Sequence, residues 1–247
     1  MAAEPLILME GVTKRFRGVP AVENLTLTIG KGEIVAIVGR TGSGKSTAMQ
    51  AIIGTFPVDA GRVRVGGRDP YTERRTLRGV LSVALQTDRL LPWRRAWENV
   101  AIGLEIFHVP RPRREAVARE WLARVKMAGA EDKYPHELSG GMRQRVSFAR
   151  ALAVDPAIVL LDETFSQLDE LTSRELRHDF MDLVRSLGKT SILITHRIDE
   201  ALEVGDRVVV LRPPGHVVHE SAPTAADRND PERMAKLRTE IKAVMAD

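Results

Sequence analysis

Cysteine is absent from all 247 residues. That excludes a disulfide framework and a thiolate metal site, and it fits a reducing compartment. No run of about 18 apolar residues occurs, so nothing in the sequence is expected to span a bilayer as a helix. Met1-Ala2-Ala3-Glu4-Pro5 lacks the basic stretch and apolar run of a secretory signal, and none is expected there. Internal repeats, heptad runs and low-complexity segments are also missing. Charge of one sign is not in great excess: 37 basic against 33 acidic residues leave +4. The basic clusters, Arg111 to Arg114 and Arg74, Arg75 and Arg78, read as solvated faces, with nucleic acid or anionic lipid as the alternative. What remains is an ordinary globular composition, 43% apolar and 28% charged, long enough for one large α/β domain or two small ones.

The chain is organised around Gly39-Arg40-Thr41-Gly42-Ser43-Gly44-Lys45-Ser46-Thr47. The apolar run Ile34 to Val38 before it reads as a buried strand, and Thr47 to Ile53 after it as a helix. The spacing G-x-x-x-x-G-K-[ST] between a strand and a helix is a phosphate-binding loop. Its glycines let backbone N–H groups wrap phosphates, and the helix N-terminus adds its positive dipole end. Lys45 offers an ammonium to the β- and γ-phosphates, and Ser46 a hydroxyl to Mg²⁺.

Other elements follow from periodicity and punctuation. Leu6 to Met9 and Leu25 to Ile29 read as strands of a small antiparallel sheet, with Val12 to Phe16 as a polar loop between them, and Val63 to Val65 reads as a further short strand. Val80 to Leu85 reads as a strand ending at Gln86. Residues 90–153 look mainly helical, a composition shift that marks an inserted helical subdomain. One helix starts near Ala96 and carries Val100, Leu104 and Phe107. Pro110 and Pro112 interrupt, and a second presents Val117, Trp121, Leu122 and Val125. Ser139 is an N-cap for a helix that Asp155-Pro156 stops. Ala157 to Glu163 is a continuous apolar strand with two carboxylates at its C-terminal end, as suits a parallel sheet covered on both faces. Thr172 and Glu175 form a capping box. Ser191 to Ile194 and Asp206 to Leu211 are strands, the second being the last. The tail relaxes at Pro213-Pro214-Gly215 and closes with a helix capped by Asp230 and Pro231.

Ligands of an open parallel sheet bind at the carboxyl ends of its strands. Four such ends carry polar groups here: the phosphate loop, Gln86, Asp162-Glu163 and His196. Asp162 fits a carboxylate holding Mg²⁺ through water opposite Ser46, and Gln86 can reach the metal or its water. Glu163 can polarise an attacking water as general base. His196 can hydrogen-bond the γ-phosphate or orient that water.

Leu138-Ser139-Gly140-Gly141-Met142-Arg143-Gln144-Arg145 is similar to the signature of the ATP-binding cassette transporter ATPases, with Met142 where glutamine is usual. The order Phe16, phosphate loop, Gln86, signature, Asp162-Glu163, Ser166-Gln167-Leu168-Asp169 and His196 also resembles that family. The resemblance implies a P-loop ATPase core over residues 5–212, with an N-terminal antiparallel β subdomain and a helical subdomain at about 90–153, followed by a tail, 213–247. That tail is expected to cover the sheet edge. It further implies that Phe16 stacks on adenine. Ser139, Gly140 and Gly141 contact the γ-phosphate of ATP held by a second subunit, and Asp169 links the two sites. The pair works head to tail, as a homodimer. The region after Gln86 receives two membrane permease chains, which places the chain at the cytoplasmic face of the cell membrane, with a solute-binding protein acting beyond. Leu90-Leu91-Pro92-Trp93 and Ile198-Asp199-Glu200-Ala201 resemble the nitrate, sulfonate and taurine importer branch. A soluble cassette ATPase acting on ribosomes or DNA is the alternative. The sequence departs from the family at Thr164 (usually proline), at Gln167 (usually alanine), at Arg197 (commonly aspartate) and at Leu85, Thr87 and Asp88 around Gln86.

Overall fold

A computed structural model describes residues 5–166 and 168–246. The chain runs β1 (Ile7–Phe16), β2 (Val19–Ile29), β3 (Ile34–Val38), α1 (Lys45–Ile53) and β4 (Ala60–Val65). Next come β5 (Leu81–Ala84), α2 (Ala96–Val100), α3 (Ile102–Ile106), α4 (Arg111–Arg124), a 3-10 turn at Pro135–Glu137, α5 (Gly140–Leu152), β6 (Ile158–Asp162) and α6 (Glu170–Ser186). It closes with β7 (Thr190–Thr195), α7 (Ile198–Val204), β8 (Arg207–Arg212), β9 (His216–Ser221), α8 (Ala225–Arg228) and α9 (Pro231–Ala246). These elements form two compact units, one of residues up to 78 together with those from 190 onward, the other of 79–189.

The first unit holds two sheets. The expected N-terminal antiparallel sheet has the order β2-β1-β4. Val12 to Phe16 is not a loop but the second half of β1, paired with β2 from Val12 opposite Leu25 to Phe16 opposite Val19. Gly11, at φ +58°, lies where the register slips between Met9 and Val12. The bulge shifts the two-residue alternation by one, which hides the strand from a periodicity reading. The other sheet runs β7-β3-β8-β9. All five residues of β3 are buried, and both its neighbours run parallel to it, as a continuous apolar strand requires.

Asp206 to Leu211 is not the last strand. Pro213 to Gly215 turns the chain through a Gly215 N–H to Arg212 carbonyl bond of 2.7 Å, and β9 returns antiparallel to β8. With only two apolar residues and no fully buried position, β9 offers little strand signal. Helix α9 begins as expected, the Asp230 carboxylate accepting the N–H groups of Glu232 at 3.0 Å and Arg233 at 3.2 Å. It packs on α7, β8 and β9 with Ile241 fully buried. Arg238 on α9 pairs with Asp199 on α7.

In the second unit β5 and β6 pair in parallel, Leu81 opposite Ile158 through Ala84 opposite Leu161. The helix expected from Ala96 is two short ones, α2 and α3, divided at Ala101. Gly103 lies so close to Val154 that a Cβ would sit 2.5 Å from its Cγ1. Phe107 caps α3 and is exposed rather than buried. Pro112 occupies the first turn of α4, where its missing N–H leaves no bond unmade. The buried Asn99 accepts the Leu91 N–H at 2.7 Å and donates to the carbonyls of Leu91, Arg94 and Arg95. This fixes a loop that presents Trp93, 70% exposed. The cap of α6 is Asp169, not Thr172: its carboxylate accepts the Thr172 N–H at 3.0 Å, and that bond holds its pKa below the usual carboxylate value.

Candidate active site

In the first unit the site is a loop between β3 and α1. Five buried residues carry the chain to Val38, and Gly39 must follow because a Cβ there would lie 2.3 Å from Ser43 Oγ and 2.4 Å from the Leu211 carbonyl. Ser43 N–H closes the loop on the Arg40 carbonyl at 3.1 Å. Gly44 takes φ +86° with the Ala21 carbonyl 2.6 Å from where a Cβ would be. Gly44→Ala should therefore cost about 2 kcal/mol from backbone strain and clash, read as a fall in Tm of about 4–8 °C with weakened ATP binding.

Lys45, 6% exposed, donates from Nζ to the carbonyls of Gly39 at 2.7 Å and Arg40 at 3.0 Å. A buried ammonium at the mouth of α1 adds to the positive end of the helix dipole. Together they make the loop a cradle for phosphate. Ser43 Oγ is buried without a hydrogen-bond partner, a polar atom left over inside that cradle. Arg40, Thr41 and Gly42 are exposed on the loop, Ser46 is exposed in the first turn of α1, and Thr47 is half-buried.

Phe16 ends β1, 47% exposed, with its ring edge-on to Phe56 at 5.5 Å and Lys14 Nζ 5.6 Å from its centre. Lys14 is itself held by Asp59 at 3.0 Å and the Pro57 carbonyl at 2.8 Å, so the ring stands on a fixed base. His196 follows β7 and is exposed. The neighbouring Thr195 hydroxyl donates to Glu200 at 2.7 Å and accepts the Arg197 N–H at 3.0 Å, which sets the backbone on both sides of the histidine.

In the second unit the carboxylates close β6. Asp162 is its last residue and is half-buried. Glu163 departs at φ +44°, a conformation non-glycine residues adopt only where their surroundings impose it. The Ser166 N–H and hydroxyl both donate to the Glu163 carbonyl, at 3.1 and 2.7 Å. Gln86 follows β5, exposed, with Nε2 3.5 Å from the Ser166 hydroxyl. Ser139 caps α5, its hydroxyl accepting the Met142 N–H at 3.3 Å. Gly140 and Gly141 form the first turn, and a Cβ on Gly141 would come within 3.1 Å of Thr172 Cγ2. Asp169 caps the next helix, and Gln167 lies outside the described residues.

Sequence reading missed the polar contacts of three residues here. Arg143 donates from Nε to Asp88 at 3.0 Å and from Nη1 to the Leu138 carbonyl at 2.8 Å, tying the segment after Gln86 to α5. Arg150 donates to the carbonyls of Asp88 and Arg89, and burial pushes its pKa down. Thr164, buried, donates its hydroxyl to the Ala84 carbonyl at 3.1 Å. Asp88 and Thr164 register in the sequence only as departures from a family pattern.

A phosphate cradle between a buried parallel strand and a helix, and a carboxylate pair ending another, define a P-loop ATPase. The family model described as ABC transporter matches residues 22–166, and the chain belongs to that family. It is 43% identical over 199 residues to the taurine import ATP-binding protein TauB of Burkholderia pseudomallei, covering 80% of this chain and 75% of that protein. It is 36% identical to the taurine import ATP-binding protein TauB of Yersinia pestis, covering 94% of each. Among solved structures it is similar to a dimeric ATP-binding cassette in a post-hydrolysis state with ADP and Pi, at 30% identity and TM-score 0.77, covering 89% of this chain and 99% of that one. It shares its fold with cbiO1 of Clostridium perfringens, at 24% identity and TM-score 0.84 over 98% of each chain. The chain is the ATP-binding, ATP-hydrolysing component of an ABC transporter.

Proposed function

We propose that this chain powers the import of a small solute of the taurine, alkanesulfonate or nitrate class. The observation that carries the reading is the 36–43% identity to taurine import ATP-binding proteins, with 94% of each chain covered at its lower end. Lys45, with Gly39 to Thr47, holds the phosphates of ATP and Phe16 its adenine. Ser46, Asp162 and Gln86 are the oxygen donors suited to Mg²⁺, and no cluster of three or more His, Cys, Asp or Glu occurs among the described residues. So few protein ligands fit Mg²⁺, which keeps waters and phosphate oxygens around it. When bound, Mg²⁺ neutralises charge on the β- and γ-phosphates.

Glu163 takes the proton of the attacking water, and His196 orients that water against the γ-phosphate. Ser139, Gly140 and Gly141 reach the nucleotide of a second copy, and Asp169 lies between the two sites of that head-to-tail pair. ATP closes the pair and hydrolysis reopens it. Two permease chains bind beside Gln86, which puts the chain on the cytoplasmic face of the cell membrane; the exposed Trp93 on its fixed loop supports a contact there. No helix among the described residues is long and apolar enough to cross a membrane. The solute-binding protein acts through the permeases.

The test is a proteoliposome holding this chain with its permeases. Taurine-, alkanesulfonate- or nitrate-loaded binding protein should raise ATP hydrolysis severalfold, whereas a sugar-loaded one should not. Absence of stimulation by all three solutes would reject the solute class.

A further inference from the structure

The residue after Glu163 is built into two other elements of its unit. Thr164 is 1% exposed. Its hydroxyl donates to the carbonyl of Ala84, the last residue of the strand that leads to Gln86. Its own carbonyl accepts Nε2 of Gln144 at 2.9 Å, and Gln144 is buried on the helix that begins with the signature glycines. On the other side, Ser166 grips the Glu163 carbonyl with both N–H and hydroxyl while its oxygen lies 3.5 Å from Gln86 Nε2. The peptides on either side of Thr164, which carry the Glu163 and Thr164 carbonyls, are thus anchored to the Gln86 strand, to Gln86 itself and to α5. Such over-determination is what keeps a glutamate at φ +44°. A proline at 164 would fix its own φ but could offer no hydroxyl to Ala84.

We propose that the Thr164 hydroxyl is a positioning group for Glu163, locking the general base to the end of the strand preceding Gln86. The proposal rests on the assignment of Glu163 as that base. Displacement of the Ala84–Gln86 segment then moves the glutamate through a path of one hydrogen bond and one peptide. Hydrolysis depends on the bond because a general base slightly out of line loses much of its effect, whereas nucleotide affinity, carried by the phosphate loop, does not.

The experiment measures kcat, KM for ATP, titrated nucleotide sites and Tm for the full chain carrying Thr164→Val and Thr164→Ser. Thr164→Val keeps the shape and removes the donor. It should lower kcat per titrated site by about tenfold, with KM changed by less than about twofold. Thr164→Ser restores the donor and should return kcat to within about twofold of the parent. Should Thr164→Val not fold, Thr164→Ala reads the same loss. A kcat per site unchanged by removal of the hydroxyl overturns the proposal, and so does a Thr164→Ser rate as low as that of Thr164→Val. Glu163→Gln, run beside them, separates the two readings. If it hydrolyses ATP normally, the base assignment itself fails; if it is inactive while Thr164→Val is normal, only the positioning role fails.

Discussion

Glu163→Gln should lower ATP hydrolysis by about 10²- to 10⁴-fold, the weight of a positioned general base, and leave ATP binding intact. Glutamine keeps the size and hydrogen-bonding reach of glutamate but cannot accept the proton of the attacking water. The backbone that aims the side chain is held by Ser166 on the Glu163 carbonyl and by the buried Thr164, so the substitution has no structural reason to disturb the loop. Binding rests on Lys45 and the loop amides, in the other unit. Single-turnover hydrolysis of radiolabelled ATP, beside equilibrium binding of the same nucleotide, checks both halves. A near-parental rate would move the general base elsewhere.

The second large effect concerns the division of one ATP site between two chains. Lys45→Ala removes a buried ammonium that the loop already cradles through the Gly39 and Arg40 carbonyls. Losing a charge partner of this kind costs about 2–5 kcal/mol of binding, roughly 30- to 4,000-fold in affinity. ATP binding to the single chain should effectively disappear. Gly141→Asp acts differently. The new side chain crowds Thr172 on α6 and sets a negative charge on the helix turn that we propose meets a partner's γ-phosphate. Binding to the single chain should survive while ATP-driven pairing and hydrolysis fail. Equal loss of single-chain affinity in both variants would contradict the division of roles, and melting curves show whether crowding at Thr172 alone accounts for the second.

Both experiments start from residues legible in the sequence, for a physical reason. The phosphate loop, the Ser139 cap and the Asp162-Glu163 strand end depend on local geometry: a fixed spacing, a strand before, a helix after. Nothing distant is needed to see them. What stayed hidden depended on distance or on a broken period. The bulge at Gly11 shifted the alternation of β1 and made half a strand look like a loop. Strand β9 exists because β8 is there to pair with it, not because its six residues demand it. The Asp169 cap was misplaced at Thr172 because both residues suit an N-cap, and only the observed bond from Thr172 N–H to Asp169 decides between them. Thr164 looked like the loss of a proline; its hydroxyl has a role because Ala84, 80 residues away in sequence, ends its strand beside it.

The central claim, that the phosphate loop of one copy works with the signature of another, is tested most directly by mixing the two inactive variants. A pair made of one Gly141→Asp chain and one Lys45→Ala chain has one site with both halves intact. Random pairing makes about half of all dimers mixed, each with one of two sites whole, so the mixture should recover about a quarter of the parental ATPase rate. A mixture as inactive as its two components would show that each chain completes its own site, and would contradict the account.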